Sequence, residues 1–200
     1  MHLKRQQKFL WKLAGFALIF SASMLIWQRI SAPVLQNQAI PAFTADFELT
    51  DHRGLVQSDE NFAGKWLLVL FGFTNCPDVC PTTLAEVATV MDDLGPDANK
   101  VQPIFITIDP DRDTPTALAD YVPLFHSSIL GLTGTPGQIA RTSETFYIYY
   151  EKLAEATAPD GYTMVHSSRL FLFGPQGGYV KSFAYGTGAE TILVDLKGRF

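Results

Sequence analysis

Residues 66–91 read WLLVLFGFTNCPDVCPTTLAEVATVM and place two hydrophobic patterns on either side of a turn. The first part, WLLVLFGFT, is a continuous apolar run of the kind found in a strand buried on both faces. From Leu84 onward, apolar residues recur at spacings of three and four, which predicts a helix that ends at Gly95-Pro96. Cys76 and Cys80, the two cysteines of the 200-residue chain, lie between these patterns. The stretch predicts a strand–turn–helix unit with both thiols in the turn.

The segments next to this unit supply further strands and helices. Upstream, FTADFELTD followed by HRGLVQS predicts a β-hairpin that turns at Arg53-Gly54. Downstream, VQPIFITID predicts a second buried strand. The segment DTPTALADYVPLF then predicts a helix capped by Asp113 or Thr114, with Pro115 in its first turn.

The C-terminal part continues the alternation. TPGQIARTSETFYIYY predicts a third helix that runs into an edge strand, and SRLFLFGPQGGYVKSFAYG predicts two strands joined by a bend at Pro175 and Gly177-Gly178. A last helix is expected from about Ala189. This order of elements predicts an α/β domain with a thioredoxin-like fold, a central mixed sheet flanked by helices and preceded by the β-hairpin. Sites in such sheets lie beyond the C-terminal ends of strands, where the cysteines fall.

An apolar run also occupies residues 9–27, with Lys12 as its one charged residue. At about 1.5 Å rise per residue, a helix of this length spans a hydrocarbon core of roughly 30 Å. Most basic residues near the run precede it and only Arg29 follows, so residues 1–8 are expected in the cytoplasm. We therefore predict a transmembrane anchor over residues 9–27. A cleaved signal peptide is the alternative, since residues 21–23 are the small residues SAS.

The rest of the chain is predicted to be a linker over residues 28–40 and one domain over residues 41–200. Beyond the first thirty residues, ten basic residues stand against twenty acidic ones, a formal charge of −10. This balance disfavours nucleic acid as a partner. Roughly 160 residues suffice for one well-buried domain. No Arg- and Ser-rich segment precedes the apolar run, which favours a bacterial membrane over a mitochondrial transit peptide.

The spacing of the two cysteines leaves three kinds of chemistry open. Pro77 and Pro81 lack backbone N–H groups, so a helix is expected to start at Cys80 or Pro81, and its N-terminus favours thiolates. A structural disulfide would close only a short loop, which stabilises a domain little. The pair is otherwise suited to redox chemistry or to a soft metal. Three residues separate the thiols, one more than in the usual redox motif, which leaves room for an ion such as Cu(I) or Zn(II).

A third ligand would have to come from four histidines. His2 is expected in the cytoplasm, His52 in a hairpin turn and His126 at a helix end, the last two as solvated surface residues. His166 immediately precedes the penultimate strand, where thioredoxin-like enzymes carry a proline that packs against the active cysteines. No proline occurs over residues 163–173, so His166 could occupy the place that faces the thiols.

Four motifs together resemble the Sco/SenC family, thioredoxin-fold copper chaperones for cytochrome c oxidase assembly. They are FTNCPDVCPTTL, PIFITIDPDRDTP, GLTGT and VHSSRLFLFGPQG, in the family's order. The resemblance implies that Cys76, Cys80 and His166 bind copper as Cu(I) and/or Cu(II), and that the cysteines can form a redox-active disulfide. Asn75 and Val165 depart from the family, where histidine and aspartate are frequent.

The resemblance also implies a function and a location. The chain is expected to be a single-pass protein of the bacterial inner membrane, with a periplasmic domain that delivers copper to the binuclear copper centre of cytochrome c oxidase. Expected partners are the copper-bearing oxidase subunit and other periplasmic copper carriers or thiol reductants. The alternatives are a thiol-disulfide oxidoreductase that reduces the cysteines of that oxidase site, and a peroxiredoxin-like peroxidase. The acidic segment DPDRD, residues 109–113, is expected to cap a helix or to lie near the metal site.

Overall fold

The computed structural model of the chain describes residues 43–200. The predicted cytoplasmic segment, anchor and linker, residues 1–8, 9–27 and 28–40, lie outside the described residues. Within residues 43–200, no helix is both long enough and apolar enough to cross a membrane.

The described residues form nine strands and four α-helices, joined by short 3₁₀ turns. The strands are β1 (Glu48–Asp51), β2 (Val56–Ser58), β3 (Trp66–Gly72), β4 (Val101–Thr107), β5 (Leu130–Thr133), β6 (Tyr150–Ala154), β7 (Tyr162–His166), β8 (Arg169–Phe173) and β9 (Tyr179–Ala184). The helices are α1 (Val79–Leu94), α2 (Pro115–Tyr121), α3 (Pro136–Thr145) and α4 (Ala189–Lys197).

Seven of the strands form one mixed sheet in the order β2-β1-β5-β4-β3-β8-β9. The β3 strand lies parallel to β4, in register from Trp66 opposite Val101 to Gly72 opposite Thr107, and β4 lies parallel to β5. The remaining neighbours are antiparallel, including the predicted hairpin of β1 and β2. The predicted central mixed sheet is confirmed, and β3 lies inside it, where both of its edges are paired.

The β3 strand is buried on both faces, as its apolar run predicts. On one face, Leu68 and Leu70 share a hydrophobic cluster with Leu84 of α1 and Ile192 of α4. This cluster holds the start of α1, and therefore Cys80, against the sheet.

The opposite face of the sheet is packed with aromatic rings. Phe146, which follows α3, lies 5.1 Å from Phe71 of β3 and 5.3 Å from Phe173 of β8, measured between ring centroids. Phe43 stacks on Tyr179 at 5.0 Å and closes the same cluster. Edge-to-face and stacked rings at these distances add to the free energy gained by burial. Helices thus cover both faces of the sheet, as predicted.

Some predicted boundaries shift by a few residues. The helix expected at Cys80 or Pro81 begins at Val79, which places Cys80 in its first turn. Of the two predicted caps of α2, Thr114 is the residue at the N-cap, and its side chain accepts from the N–H of Ala117 at 3.2 Å.

Three features differ from the predicted order. The β5 strand was not predicted; it is a buried segment of four residues that contains Gly131. The β7 strand was not predicted either. The predicted edge strand after α3 is β6, but it pairs only with β7, as a ribbon separate from the seven-stranded sheet among the described residues.

Candidate metal centre

The two cysteines lie where β3 turns into α1. The N–H of Cys76 donates to the carbonyl of Phe73 at 3.2 Å, which closes the turn after the strand. The N–H of Cys80 then donates to the sulfur of Cys76 at 3.4 Å, so the start of the helix faces that sulfur. Both cysteines are free thiols in this structure; Cys80 is fully buried and Cys76 is half-buried.

Gly72 makes the position of the buried thiol possible. It is the last residue of β3, and a Cβ atom added there would lie 2.7 Å from Cys80 Sγ and 2.8 Å from Phe105 Cε2. Real Cβ atoms do not approach other atoms so closely. Only glycine therefore lets the sulfur of Cys80 pack directly against the strand.

His166 faces the thiols from β7. Its Nε2 atom lies 3.7 Å from Cys80 Sγ, and its Nδ1 atom lies 2.9 Å from the carbonyl oxygen of Ser167. A carbonyl oxygen only accepts hydrogen bonds, so Nδ1 carries the hydrogen and donates it. Nε2 is therefore the ring nitrogen that remains for the sulfur side of the site. The rings of Phe73 and His166 pack nearly perpendicular to each other, with 6.0 Å between their centroids.

The two thiols have opposite protonation behaviour. A hydrogen bond from Cys80 lowers the pKa of Cys76 to about 4, and a bond from His166 and the backbone N–H groups of Cys80 and Asp78 add to this effect against partial burial. The same shared hydrogen bond, together with burial, raises the pKa of Cys80. The shared hydrogen bond therefore favours Cys76 as the thiolate of the pair and Cys80 as the protonated donor.

The buried carboxylate of Asp113 holds the cysteine loop, defined as residues 73–80 between the end of β3 and the first turn of α1. Asp113 accepts hydrogen bonds from the N–H of Thr74 at 3.0 Å, from the hydroxyl of Thr74 at 2.6 Å and from the hydroxyl of Thr107 at 2.6 Å. Burial raises the pKa of Asp113, while these hydrogen bonds lower it. The acidic segment thus lies beside the cysteine loop, which is the second of the two places predicted for it.

The other two described histidines do not join this site. His52 Nδ1 accepts from the N–H of Gly131 at 3.1 Å. His126 Nδ1 lies 2.7 Å from the hydroxyl of Ser128, and its Nε2 lies 3.4 Å from Asp92. Both are half-buried and hydrogen-bonded rather than solvated as predicted.

Three supporting residues were not predicted from the sequence: Gly72, Thr74 and Thr107. A glycine inside a buried strand is a signal of close backbone approach, so Gly72 could have been recognised. The two threonines carry no such signal. Across residues 43–200, no group of three or more His, Cys, Asp or Glu side chains is arranged as a complete metal-binding cluster.

The fold and these side chains define a class of protein. It has a thioredoxin-like sheet with two thiols at the turn after a central strand, and an imidazole from a separate ribbon faces them. Such a site suits thiol redox chemistry or the binding of a soft metal ion. The profile of the SCO1/SenC family matches residues 36–200. The chain belongs to this family.

Relatives in sequence come from bacteria and from mitochondria. The chain is 42% identical over 149 residues to the mitochondrial SCO2 homolog of Bos taurus, covering 74% of this chain and 56% of that protein. It is 37% identical over 153 residues to the SCO2-like protein of Rickettsia felis, covering 76% and 75%. The chain spans 56% to 60% of the length of the mammalian SCO2 homologs that it matches.

Similar solved structures include proteins with copper bound. Bradyrhizobium japonicum ScoI with copper bound has a TM-score of 0.73 and 37% identity, and the match covers 79% of this chain and 99% of that one. Yeast Sco1 with copper bound has a TM-score of 0.72 and 31% identity, with coverage of 80% and 88%.

Proposed function

We propose that the chain is a copper-binding protein that delivers copper to the binuclear copper centre of cytochrome c oxidase during assembly. The family and its copper-bound structural neighbours support this proposal. The observation that carries it is the meeting of Cys76, Cys80 and His166, with His166 Nε2 3.7 Å from Cys80 Sγ. Nothing in simple thiol-disulfide exchange calls for an imidazole at that place.

The donor set fits copper in either oxidation state. Two thiolates are soft ligands that suit Cu(I), and an imidazole nitrogen suits Cu(II). Sulfur and nitrogen atoms that share one ion, at about 2.3 and 2.0 Å as in zinc sites, lie within about 4.3 Å of each other. The 3.7 Å separation of Cys80 Sγ and His166 Nε2 satisfies that limit. Asp113 is not needed as a ligand, since its oxygens are already hydrogen-bonded.

The burial of the two thiols suggests how the ion enters and leaves. Cys76 is partly exposed and is the thiolate of the pair, so it takes the ion from a carrier first. Cys80 then binds the ion from the buried side and gives up its proton to water at the open side of the site. Release reverses these steps, as the thiols of the oxidase subunit replace Cys76 at the open side.

The location is part of the proposal. Residues 9–27 anchor the chain in a bacterial inner membrane, residues 1–8 stay in the cytoplasm, and residues 28–40 link the anchor to the periplasmic domain. The apolar run and the basic residues before it support this arrangement.

The ligand set is tested with His166→Ala, measured by titration of Cu(I) and of Cu(II). We expect Cu(II) affinity to fall by more than about 100-fold, because even the loss of an outer partner of a metal ligand costs about 10–100-fold. Cu(I) binding should change far less, since two thiolates suffice for it. Cys76→Ser or Cys80→Ser should abolish both.

His126→Ala is the matched control, because His126 is a half-buried histidine hydrogen-bonded elsewhere. It should bind both ions like the wild type. Wild-type Cu(II) affinity in His166→Ala would mean that the third ligand is another residue.

The thiol-disulfide oxidoreductase remains a second candidate, and the low pKa of Cys76 favours it. A half-buried thiolate beside a buried thiol is the arrangement that attacks a disulfide and then resolves the mixed disulfide. The two functions differ in their need for the histidine. In cells that lack the wild-type gene and grow on limiting copper, His166→Ala should fail to restore oxidase activity although its cysteines remain reducible. Full rescue by His166→Ala, with none from either cysteine variant, would favour the oxidoreductase.

A further inference from the structure

The ribbon that carries His166 is attached to the rest of the domain in an unusual way. The β6 and β7 strands pair with each other and with no strand of the seven-stranded sheet in the described part of the chain. A two-stranded ribbon alone is marginally stable in water and needs packing against another element. His166 is the last residue of β7, opposite Tyr150 of β6. Whatever holds the ribbon in place therefore also orients the imidazole.

Arg112 contacts the ribbon at the start of β7 and the turn that precedes it. Its guanidinium carbon lies 3.8 Å from the centre of the Tyr162 ring, at the start of β7. Its Nη1 donates to the carbonyl oxygens of Tyr162 and of Pro159, both at 3.2 Å. The hydroxyl of Tyr162 in turn donates to Asp109 Oδ1 at 2.9 Å, and Arg112 Nε donates to Asp109 Oδ2 at 2.5 Å.

The burial of this group makes its contacts strong. The side chain of Asp109 is 1% exposed and that of Arg112 is 11% exposed. Charge-assisted hydrogen bonds and cation–π contacts are worth more where water is excluded. A second cation, Lys152 of β6, lies 4.1 Å from the Tyr162 ring and 2.8 Å from Asp111. Its side chain is about half exposed, so that pair contributes less.

The same loop also touches the cysteine side of the site. Arg112 contacts the ribbon, and the next residue, Asp113, accepts the hydrogen bonds of Thr74 in the cysteine loop. Residues 109–113 therefore hold the cysteine loop and the histidine ribbon at the same time. This loop thus contacts both parts of the site, the thiol side through Asp113 and the imidazole side through Arg112.

We infer that Arg112 is a positioning residue for His166. It clamps the ribbon at Tyr162, so that the ribbon stays paired up to its last residue and Nε2 stays opposite Cys80. Without the clamp, the ribbon frays from Tyr162 toward His166 and the imidazole leaves the thiols. The consequence for copper rests on the proposed function, whereas the positioning itself does not.

The positioning is tested without copper by amide hydrogen exchange of the full-length apo protein in detergent. Arg112→Met keeps an unbranched side chain and removes the guanidinium. We expect amides of residues 150–166 to exchange at least about tenfold faster, which is a loss of about 1.4 kcal/mol in local stability. Amides of β3 and β4 should exchange as in the wild type.

The matched control is Arg199→Met. Arg199 also donates to a carboxylate, Asp195 at 2.7 Å, and lies over an aromatic ring, Trp66 at 5.7 Å, but it contacts neither the ribbon nor the cysteine loop. This variant should leave exchange in the ribbon unchanged. Equal acceleration of all amides in Arg112→Met would make Arg112 a general stabilising residue and overturn the inference.

Copper titration and electron paramagnetic resonance supply the second readout. Arg112→Met should lose Cu(II) affinity by about 10–100-fold and lose the nitrogen coupling of the imidazole, while Cu(I) affinity stays within about threefold of the wild type. Parallel losses of both ions, or an unchanged Cu(II) spectrum, would contradict the inference. If the wild type binds neither ion, the proposed function fails, and hydrogen exchange alone decides the role of Arg112.

Tyr162→Leu is a second variant that tests the same inference if Arg112→Met does not fold. It removes the aromatic ring and the hydroxyl from the ribbon side of the clamp and keeps an apolar side chain. It should accelerate exchange in the same residues, 150–166. Wild-type exchange in both variants would overturn the inference.

Discussion

Cys76 and Cys80 lie four residues apart and yet differ in charge and exposure. The difference arises because Cys80 packs against the glycine backbone of β3, while Cys76 stays in the loop and accepts hydrogen bonds from Cys80 and from the start of α1. Because the thiolate is at the partly exposed position and the thiol at the buried one, Cys76 is the sulfur that a reagent or an ion meets first. The reactive sulfur of Cys76 is partly exposed to solvent, and the sulfur of Cys80 is buried.

The first prediction concerns the reactivity of Cys76 toward iodoacetamide. The alkylation rate follows the thiolate, so it should rise with pH through an inflection near the pKa of about 4 and then reach a plateau. Cys80→Ala removes the hydrogen bond that lowers this pKa most, so the inflection should move up toward the ordinary value of 9.0. An inflection that stays in place in Cys80→Ala would show that another group stabilises the thiolate.

The same shift has a consequence for stability. Between about pH 4 and 9.0, Cys76 carries fewer protons in the folded protein than in the unfolded one. Its contribution to the free energy of unfolding therefore rises with pH across that window, and it is lost as the pH falls through about 4. Cys76→Ser should remove this slope in denaturant titrations made at several pH values.

The second prediction concerns Gly72. In Gly72→Ala the new methyl group would meet Cys80 Sγ at 2.7 Å, so the sulfur or the helix start must shift. We expect a loss of about 1–3 kcal/mol in the free energy of unfolding, as for overpacked cores, and weaker Cu(I) binding. Gly174→Ala is the control, because its nearest neighbour would lie 3.6 Å away. Equal effects of the two variants would contradict the close contact at Gly72.

At the scale of elements, the site lies at the ends of three strands, β3, β4 and β7. The β3 strand delivers the cysteine loop, β7 delivers the histidine, and the loop after β4 joins them. Asp113 forms the joint on the cysteine side, because one buried carboxylate binds both the end of β4 at Thr107 and the cysteine loop at Thr74. The geometry of the thiols therefore depends on a carboxylate that touches neither of them.

The third prediction concerns the hydrogen bonds that Asp113 accepts from Thr74 and Thr107. Asp113→Ala leaves the N–H of Thr74 and two hydroxyls without their acceptor, so we expect a loss of about 2–4 kcal/mol in the free energy of unfolding. Asp113→Asn keeps the shape and one acceptor oxygen, and it should cost less than half as much. Denaturant unfolding measures both variants. Asp97→Ala, which removes an exposed ion pair with Lys100, should change stability by no more than about 0.5 kcal/mol.

At the scale of the whole molecule, the described domain needs no metal to form a core. Aromatic rings fill one face of the sheet, and aliphatic side chains of α1 and α4 fill the other. This core holds the start of α1 against the sheet, and residues 109–113 connect the ribbon and the cysteine loop to it before an ion arrives. For the proposed delivery of copper, such a frame means that little conformational entropy is lost when the ion binds.

The fourth prediction concerns the proposed anchor. A reporter that is active only outside the cytoplasm, fused after Phe200, should be active, and the full chain should stay with the membranes after a carbonate wash. The basic residues before the apolar run 9–27 give the reason for this orientation. Release of the protein into the soluble periplasm would favour the cleaved signal peptide instead.

Local signals made much of the fold predictable. The apolar run of β3, the helical spacing after Leu84 and the turn residues near Gly177 each report on their immediate neighbours, so they needed no tertiary information. The β5 strand could not be predicted because it is only four residues long. Its Gly131 packs under Leu118 and Val122, and the sequence of so short a segment does not reveal that contact.

The sequence by itself determined the strand–turn–helix unit, the two thiols in its turn and the histidine before the penultimate strand. Tertiary structure alone decided which of these groups meet and what holds them. His166 reaches Cys80 across 86 positions, Asp113 reaches Thr74 across 39, and Arg112 reaches Tyr162 across 50. Such contacts leave no periodic pattern in the chain, because their geometry is set by the order of strands in the sheet and the packing on its faces, not by residues close in sequence.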